Sequence, residues 1–266
     1  MPPPAVHDAP PIDALPTYAM VVPSRCRVNP EAGTGTPGPA MLTFTLHDGG
    51  APRTARLEPR ELVIAGWAGR DRAAIDHHIE ELAALGVPRP SAVPLFYRVA
   101  AANLTQAAEI ECVGDASSGE VEPVLFAHAG SLWLTVGSDH TDRRAETWSV
   151  ALSKQLCAKP VAGAAWRLDD VAQRLDTLRL SSWIVEDGRE AAYQDGTLAA
   201  LQPAPALLAR WLDGRAPFEG LVMSCGTLPA IGGVRASTSF RMRLDDPATG
   251  RRIEHAYATR VLPQVA

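Results

Sequence analysis

The chain has 266 residues, of which 46% are hydrophobic and 21% are charged, so it can bury a sizeable core and general disorder is excluded. The formal net charge of −5 and the absence of a basic run argue against nucleic acid as a partner. No apolar segment approaches the roughly 20 residues of a membrane span, and no basic region followed by an apolar stretch marks a secretory signal. We therefore expect a cytoplasmic protein with no membrane partner.

Residues 1–40 differ from the rest of the chain in composition. They are rich in Pro, Ala and Gly and lack a sustained apolar period. Such a segment cannot offset its ordering entropy by burial. We expect a leader that is either disordered or an artefact of start-site assignment, with the native protein beginning at Met41 and residues 41–266 forming a single catalytic domain.

Apolar periodicity predicts the first elements after this leader. Residues 41–57 are typical of a hairpin that turns at Asp48-Gly49-Gly50, and residues 61–67 of a strand buried on both faces. Asp71 is the predicted N-cap of a helix that runs to about Leu85.

Two side chains of this helix form a candidate catalytic dyad. His78 and Glu81 lie at i and i+3 and are therefore adjacent on the helix surface. A carboxylate holds an imidazole in one tautomer and makes it more basic, as a general base that activates water requires. A solvated helix face explains the same pattern, and His77 with Glu80 has the same spacing.

The stretch 119–154 carries a candidate metal site. Glu120 and Glu122 are two residues apart in an extended run, so they share a strand face and need either solvent or a cation between them. A turn at 129–131 returns the chain and brings Asp139 towards the pair. Three carboxylates form an all-oxygen set that suits Mg²⁺ or Mn²⁺. The alternative is a hairpin whose glutamates simply face water.

The scarcity of lysine draws attention to Lys154. Only Lys154 and Lys159 are lysines among the 25 basic residues. In a chain that favours arginine this heavily, a lysine indicates a site that requires a compact ammonium group. A surface salt bridge is the alternative for Lys154.

Further elements are predicted downstream. They are an amphipathic helix over 168–178, a hairpin over 183–194 turning at Asp187-Gly188, a helix over 198–211, a loop at Gly226-Thr227, and two strands within 241–260. The Thr227 hydroxyl and the loop amides are groups able to hold a substrate carboxylate. The four cysteines show no C-x-x-C and are expected to be reduced thiols, with Cys225 more typical of a buried hydrophobe than of a nucleophile.

Several short motifs occur in the order found in the fumarylacetoacetate hydrolase family, and together they cover about residues 60–262. The matching segments are 78–81 (H-x-x-E), 94–98, 120–122 (E-x-E), 138–143, 153–161, 186–190, 194–197 and 220–233. Each motif is weak alone, and their shared order carries the resemblance.

The chain also departs from the family pattern. Glu122 and Asp139 are 17 residues apart (139 − 122), which requires a trimmed hairpin. Arg98 replaces a family lysine, so it can clamp a carboxylate but cannot shuttle protons, and a plain surface arginine is the alternative. Ser138, Leu221 and Leu228 replace the family Asn, Asp and Pro. The resemblance is therefore to a divergent branch.

The resemblance implies a strand-rich α+β fold with a mixed β-roll, a homodimer, and metal-assisted chemistry on a 1,3-dicarbonyl or 2-oxo acid through an enolate. It implies either C–C bond hydrolysis or a related decarboxylation, hydration or isomerisation. The implied roles are metal ligation by Glu120, Glu122 and Asp139, catalysis by His78, Glu81 and Lys154, and binding of a carboxylate substrate by Arg98, Arg143 and Thr227.

A non-catalytic small-molecule-binding protein on the same fold is the rival interpretation, because the trimmed hairpin and the altered loop could have removed the metal. Convergence of the three carboxylates favours the enzyme. Separation of Asp139 from Glu120 and Glu122 by more than about twice a metal–ligand distance of about 2.1 Å favours the rival.

Overall fold

A computed structural model describes residues 41–84 and 89–265 of the chain. Three side chains within these ranges are also outside the description: those of His78, Glu81 and Leu82. The predictions for residues 1–40, for the helix end at Leu85 and for the catalytic dyad therefore fall outside the described residues. Among the residues described, no helix has both the length and the apolar character that crossing a bilayer demands.

The described ranges are dominated by strands. The strands are β1 (Leu42–His47), β2 (Arg53–Leu57), β3 (Glu61–Gly66), β4 (Leu95–Val99), β5 (Leu104–Thr105), β6 (Glu109–Val113), β7 (Ser117–Ser118), β8 (Val121–His128), β9 (Ser131–Ser138), β10 (Thr141–Asp142), β11 (Lys159–Pro160), β12 (Ala164–Arg167), β13 (Arg179–Glu186), β14 (Arg189–Thr197), β15 (Leu221–Ser224), β16 (Ser239–Asp246) and β17 (Arg251–Leu262). The α-helices are α1 (Arg72–Ala84), α2 (Arg143–Glu146), α3 (Val150–Leu156) and α4 (Ala204–Leu212). Short 3₁₀ turns cover Ala101–Asn103, Leu168–Asp170, Ala172–Thr177 and Leu198–Ala200.

Most strands belong to two sheets. One has eight strands in the order β2-β1-β12-β9-β8-β15-β3-β4, and the other has five in the order β14-β13-β16-β17-β6. Both are mixed, because β1 with β12, β15 with β3 and β17 with β6 are parallel pairs among antiparallel ones. This architecture confirms the expected strand-rich α+β class.

The eight-stranded sheet is buried on both faces by two hydrophobic cores. Along β3, Val63 and Ala65 enter the larger core, which also contains side chains of the five-stranded sheet, while Leu62 and Ile64 enter the smaller core. Successive side chains of a strand point to opposite faces, so a strand between two cores must be apolar throughout. The prediction that this strand is buried on both faces is confirmed.

The eight-stranded sheet is strongly curled. Phe44 of β1 stacks on Phe126 of β8 with ring centroids 4.3 Å apart, although β12 and β9 lie between their strands. In a flat sheet three strand spacings would separate the two rings by about 14 Å. The smaller core therefore fills the concave face.

Three other local predictions agree with the structure. Leu42 pairs with Leu57 in the first hairpin. The Asp71 carboxylate accepts hydrogen bonds from the amides of Ala73 and Ala74 and so caps α1. The hairpin of β13 and β14 turns at Asp187 and Gly188, both with positive φ.

Two predicted helices were wrong in type or extent. Residues 168–178 form two 3₁₀ turns instead of an α-helix, because Arg174 has non-helical φ and its guanidinium binds the Asp170 carbonyl and the Asp246 carboxylate. The helix expected over 198–211 begins only at Ala204, directly after Pro203. A proline is tolerated at a helix N-terminus but not in its interior.

Candidate metal centre

A tight hairpin brings the three carboxylates together. The strands β8 and β9 pair from Val121↔Ser138 to His128↔Ser131, and only Ala129 and Gly130 connect them. Both connecting residues have positive φ, 50° and 72°, as a two-residue type I′ turn requires. The backbone amide of Asp139 then donates to the carbonyl of Glu120 at 3.0 Å. The short spacing from Glu122 to Asp139 is thus what two paired eight-residue strands need.

The carboxylates of Glu120, Glu122 and Asp139 form an acidic cluster. Each offers an oxygen within 4.8 Å of the other two. The exposed fractions of Glu122 and Asp139 are 2% and 1%, so these groups are buried and do not face solvent as in a solvated hairpin. Glu120 is partly buried.

Both lysines of the chain bind Asp139. The Lys154 ammonium, on α3, contacts Oδ2 of Asp139 and lies 4.0 Å from Oε2 of Glu120. The Lys159 ammonium, on β11, lies 2.9 Å from Oδ1 of Asp139 and also donates to the carbonyl of His140. The sequence predicts a role for Lys154 alone. Lys159 carried the same signal, the rarity of lysine, and was missed.

The partners of the two buried carboxylates give them opposite protonation behaviour. Burial first, and then the charge of Asp139, raises the pKa of Glu122 to about 8, although Ser224 and the Gly226 amide donate to its Oε2. Burial also opposes ionisation of Asp139, but Lys154 and Lys159 outweigh it and hold the pKa of that carboxyl well below its usual range. Asp139 is therefore ionised at neutral pH, whereas Glu122 changes between its protonated and ionised forms near pH 8.

The donor set suits a hard divalent cation. All three groups are oxygen ligands, and a cation would favour the ionised form of Glu122 that burial disfavours. The oxygens lie within 4.8 Å of one another, and two ligands on opposite sides of Mg²⁺ are separated by about 4.2 Å. The 4.8 Å bound exceeds that separation by about 0.6 Å (4.8 − 4.2), so small side-chain movements would complete the coordination, and the residues present fit the ion in the chemistry of their donor atoms.

Arg143 organises the edge of the cluster. Its Nη2 lies 3.0 Å from Oε1 of Glu120, its Nη1 lies 2.8 Å from Glu146, and its Nε donates to Ser118. Within the described residues the buried Nη2 has no aligned hydrogen-bond acceptor. Arg143 therefore orients Glu120, and its Nη2 retains unused hydrogen-bonding capacity beside the cluster.

The other two predicted substrate-binding residues have different surroundings. The Thr227 hydroxyl donates to the Val121 carbonyl at 2.8 Å and accepts from Gln194 at 2.7 Å, so it supports the start of β8. Arg98 is half exposed and pairs with Glu61 at 3.1 Å. In β4 it follows Tyr97, whose ring lies 5.7 Å from the Lys154 ammonium, so Arg98 points to the opposite face of its strand. The structure does not bring Arg98 to the cluster.

The helix α1 contains both His78 and Glu81, but their side chains are outside the described residues. The alternative dyad includes Glu80, which forms an ion pair with Arg89.

The Cys225 thiol is fully buried, and burial followed by the nearby Glu122 raises its pKa far above the usual range. Such a thiol is a packing group, as expected.

A buried polar network behind the cluster was not foreseen. Nδ1 of His140 lies 2.9 Å from the Tyr257 hydroxyl, and Nε2 lies 2.9 Å from the Ser117 hydroxyl. The same Tyr257 hydroxyl lies 2.8 Å from Oγ of Ser138. The two residues that flank Asp139 are thus tied to β17 of the other sheet. No local sequence pattern links residues this far apart.

A protein family and several solved structures are similar to this chain. The family model described as "Protein of unknown function (DUF2848)" matches residues 65–257. The chain belongs to this family. All residues of the acidic cluster and both lysines of this DUF2848 protein lie inside the matched range. No curated protein sequence matches the chain.

Solved structures share the fold of this DUF2848 protein. Cg1458 with an inhibitor is 17% identical, with a TM-score of 0.54 over 80% of this chain and 81% of its own. The apo form of 2-keto-3-deoxy-D-arabinonate dehydratase is 13% identical, with a TM-score of 0.55 over 81% of this chain and 78% of its own. The same dehydratase complexed with magnesium and 2,5-dioxopentanoate has a TM-score of 0.53, at 13% identity over 77% and 74% of the two chains. At these identities the likeness shows a common fold.

Proposed function

We propose that this DUF2848 protein is a metal-dependent enzyme that acts on a 1,3-dicarbonyl or 2-oxo acid through an enolate. One observation carries the proposal: three carboxylates converge within 4.8 Å in a buried site that also holds two ammonium groups. Glu120, Glu122 and Asp139 would hold Mg²⁺ or Mn²⁺. When bound, such an ion supplies Lewis-acid stabilisation of negative charge on a substrate oxygen.

The protein's own groups would bind and orient the substrate. Burial lowers the pKa of Lys154, but the charges of Asp139 and Glu120 outweigh burial and hold this pKa above its usual range, so Lys154 stays an ammonium. It is therefore suited to hold a carboxylate or an oxyanion and not to act as a base. The Nη2 group of Arg143 would take a substrate carboxylate, with Glu120 keeping the guanidinium in place. We assign proton transfer to His78 with Glu81 on α1.

Two comparisons support the choice of chemistry. The order of the motifs resembles the fumarylacetoacetate hydrolase family, and we propose that the DUF2848 chain is a divergent branch of it, with a β-roll and a homodimeric, cytoplasmic state. A structural neighbour is a 2-keto acid dehydratase with magnesium and a dioxo acid bound. That likeness favours a lyase reaction over C–C hydrolysis.

The rival is a small-molecule-binding protein that has lost its metal. Both oxygens of Asp139 are occupied by ammonium groups, which is the observation in its favour. The raised pKa of Glu122 opposes it, because a bound cation would offset the cost of burying this carboxylate in its charged form.

Metal-dependent stability tests the proposal directly. Protein treated with EDTA is titrated with Mg²⁺ and Mn²⁺ while its thermal midpoint is measured. An ion at about 100 times its Kd stabilises the native state by about 2.7 kcal/mol, which raises the midpoint by roughly 5 to 10 °C in a domain of this size. Turnover of 2-oxo acids and acylpyruvates is then assayed with the ion that binds.

Two double variants test whether the midpoint shift comes from the acidic cluster. Glu120→Ala/Glu122→Ala should abolish the shift. Glu109→Ala/Glu111→Ala removes two glutamates at the same spacing on the exposed face of β6 and should leave it intact. No shift at millimolar metal in the unmodified protein would reject the metal site and favour the binding protein, whereas a shift without turnover of any 2-oxo acid would retain the metal site and reject the proposed substrate class.

A further inference from the structure

Two thiols that are 45 residues apart in sequence meet beside the acidic cluster. Sγ of Cys112 on β6 lies 3.9 Å from Sγ of Cys157, which is the C-cap residue of α3. Each residue is 3% exposed. Neither belongs to the metal site, and the proposed reaction uses neither.

We propose that Cys112 and Cys157 form a reversible disulfide and that this oxidation weakens metal binding at the acidic cluster. The bond itself is independent of the proposed function, whereas its effect on the cluster rests on that function.

Cys157 lies between the two lysines in the sequence, and this position couples the thiol pair to the acidic cluster. Lys154 lies three residues before it and Lys159 two residues after it, and both contact Asp139. A disulfide has an S–S length of about 2.05 Å, so the sulfur atoms must approach by about 1.9 Å. Because Cys157 is in the short connection from α3 to β11, that approach shifts at least one ammonium together with the Asp139 carboxylate that it holds, and so draws this carboxylate away from Glu120 and Glu122.

The side chain of Asn103 shows how this connection is held in the reduced form. Its amide donates to the carbonyls of Gln155 and Cys157 at 2.8 and 3.1 Å. On the other side, Cys112 is held within β6 by its pairing with Val261 of β17. We therefore expect the end of α3, and not β6, to move on oxidation.

The surroundings of Cys112 favour it as the attacking sulfur. Its hydrogen bond with Cys157 is the main cause that lowers its pKa, and the neighbouring His140 and Ser117 act in the same direction against burial. The pKa of Cys157 is raised by that same contact and by burial. The thiolate is the reactive form of cysteine, so the first step falls to Cys112.

Hydrogen peroxide is the oxidant that we name, because it is small enough to reach a buried sulfur. The Cys112 thiolate attacks one peroxide oxygen: the S–O bond forms, the O–O bond breaks, and the leaving hydroxide becomes water on taking a proton. Cys157 then attacks the sulfenic sulfur: the S–S bond forms, the S–O bond breaks, and the thiol proton leaves with the hydroxide as a second water. Two thiols are oxidised and one peroxide is reduced.

Peptide mapping of the full chain identifies the bond. Trypsin places Cys112 in peptide 99–143 and Cys157 in peptide 155–167, because Lys159 precedes a proline, while Cys225 falls in peptide 216–235. After peroxide treatment and alkylation without reduction, we expect peptides 99–143 and 155–167 to be joined, with a loss of two alkylation sites. Dithiothreitol should separate them.

Variants and a binding measurement complete the test. Calorimetry with Mn²⁺ should show at least about tenfold weaker binding after oxidation, restored by dithiothreitol. Cys112→Ala and Cys157→Ala should each remove the response, and the matched control Cys225→Ala, which removes a buried thiol outside the pair, should respond like the parent.

The outcomes separate the inference from the proposed function. If peptides 99–143 and 155–167 stay unlinked while other thiols oxidise, the disulfide is refuted. If they link but Mn²⁺ affinity is unchanged, the regulatory effect is refuted. If the reduced protein binds no Mn²⁺ at all, the proposed metal site fails, and the peptide map still decides the disulfide.

Discussion

The three carboxylates of the cluster differ in their partners, and those partners set what each can do. Asp139 is neutralised by two ammonium groups, and Glu120 is paired with Arg143. Among the described residues, the hydrogen-bond donors to Glu122 are the neutral Ser224 hydroxyl and Gly226 amide. Gly226 is required there, since its φ is +92° and a Cβ would lie 2.6 Å from the Cβ of Ala68. Removing one partner should therefore change metal binding in a residue-specific way.

Lys154→Met should tighten Mn²⁺ binding several-fold and abolish turnover. The Lys154 ammonium contacts Asp139 and lies 4.0 Å from Glu120, so it repels a cation at the cluster. Titration calorimetry measures the affinity, and an assay with a 2-oxo acid measures turnover. Lys154→Arg retains the charge and should leave the affinity near that of the parent. Weaker Mn²⁺ binding by Lys154→Met would contradict this role.

Mn²⁺ affinity should rise with pH up to about 8 and then level off. The pKa of Glu122 is raised to about 8, so a proton competes with the metal below that pH and not above it. One competing proton changes the apparent Kd by about tenfold per pH unit well below the pKa. Calorimetry at pH 6, 7, 8 and 9 measures the slope. In Glu122→Gln the slope should disappear together with most of the affinity, and an affinity independent of pH in the parent would refute the assignment.

At the level of elements, local sequence rules succeeded where contacts are short in sequence. The turn at Ala129-Gly130 and the cap at Asp71 were predicted because each depends on a few neighbouring residues. The region 168–178 was predicted as an α-helix from its leucine spacing, and Leu168, Val171 and Leu178 are indeed buried. Its helical geometry was lost to a contact of Arg174 with Asp246, 72 residues away.

Asp246→Asn should lower the free energy of unfolding by about 2 kcal/mol at pH 7. The fully buried Asp246 carboxylate binds Arg174 at 2.8 Å, Thr249 at 2.7 Å and Arg251 at 3.3 Å, and so joins the β16–β17 turn to the segment 172–177. We expect a smaller loss of unfolding free energy than for a fully buried ion pair, because both arginines are about 30% exposed.

The effect of Asp246→Asn should depend on pH. The bond to Arg174 above all holds the pKa of this carboxyl well below its usual range, despite opposition from burial. The stability it provides is therefore complete above about pH 4, the unfolded value, and is lost as the pH falls towards the folded value. Urea unfolding at pH 7 and pH 3 should show the difference between variant and parent shrinking. The exposed pair of Arg167 and Asp169 provides the control, since Asp169→Asn should change stability by less than about 0.5 kcal/mol. A difference that grows at pH 3 would contradict the sign.

At the scale of the whole molecule, the packing of one sheet on the other sets the position of the acidic cluster. The larger core includes side chains of both sheets, among them Leu125 of β8 and Leu180 of β13. Gly119 lies against Phe240 so closely that a Cβ would approach the ring to 2.6 Å. Tyr257 bridges the sheets through Ser138 and His140, on either side of Asp139. The cluster is therefore held from behind by the five-stranded sheet.

Tyr257→Phe should reduce the free energy of unfolding by about 1 to 3 kcal/mol, because Ser138 and His140 would each lose a buried partner. It should also weaken Mn²⁺ binding, by up to about tenfold, since both residues flank Asp139. Chemical denaturation and calorimetry measure the two effects. The matched variant Tyr193→Phe removes a buried hydroxyl with a 3.3 Å contact to the Arg235 amide and should have the smaller effect on both. Equal effects in the two variants would argue against a specific role for Tyr257.

The sequence by itself determined the strand-rich class, several hairpin turns, the Asp71 cap, and the three carboxylates with one of their lysines. These depend on periodicity, on positive-φ turn residues and on rare residue types, all of which are legible within short windows. Only the tertiary structure decided that both lysines bind Asp139, that Arg98 points away from the cluster, that Thr227 supports β8, and that Cys112 meets Cys157. Those contacts depend on the curl of one sheet and on its packing against the other. Both arise from the simultaneous burial of two cores, and no pattern of neighbouring residues in the sequence predicts them.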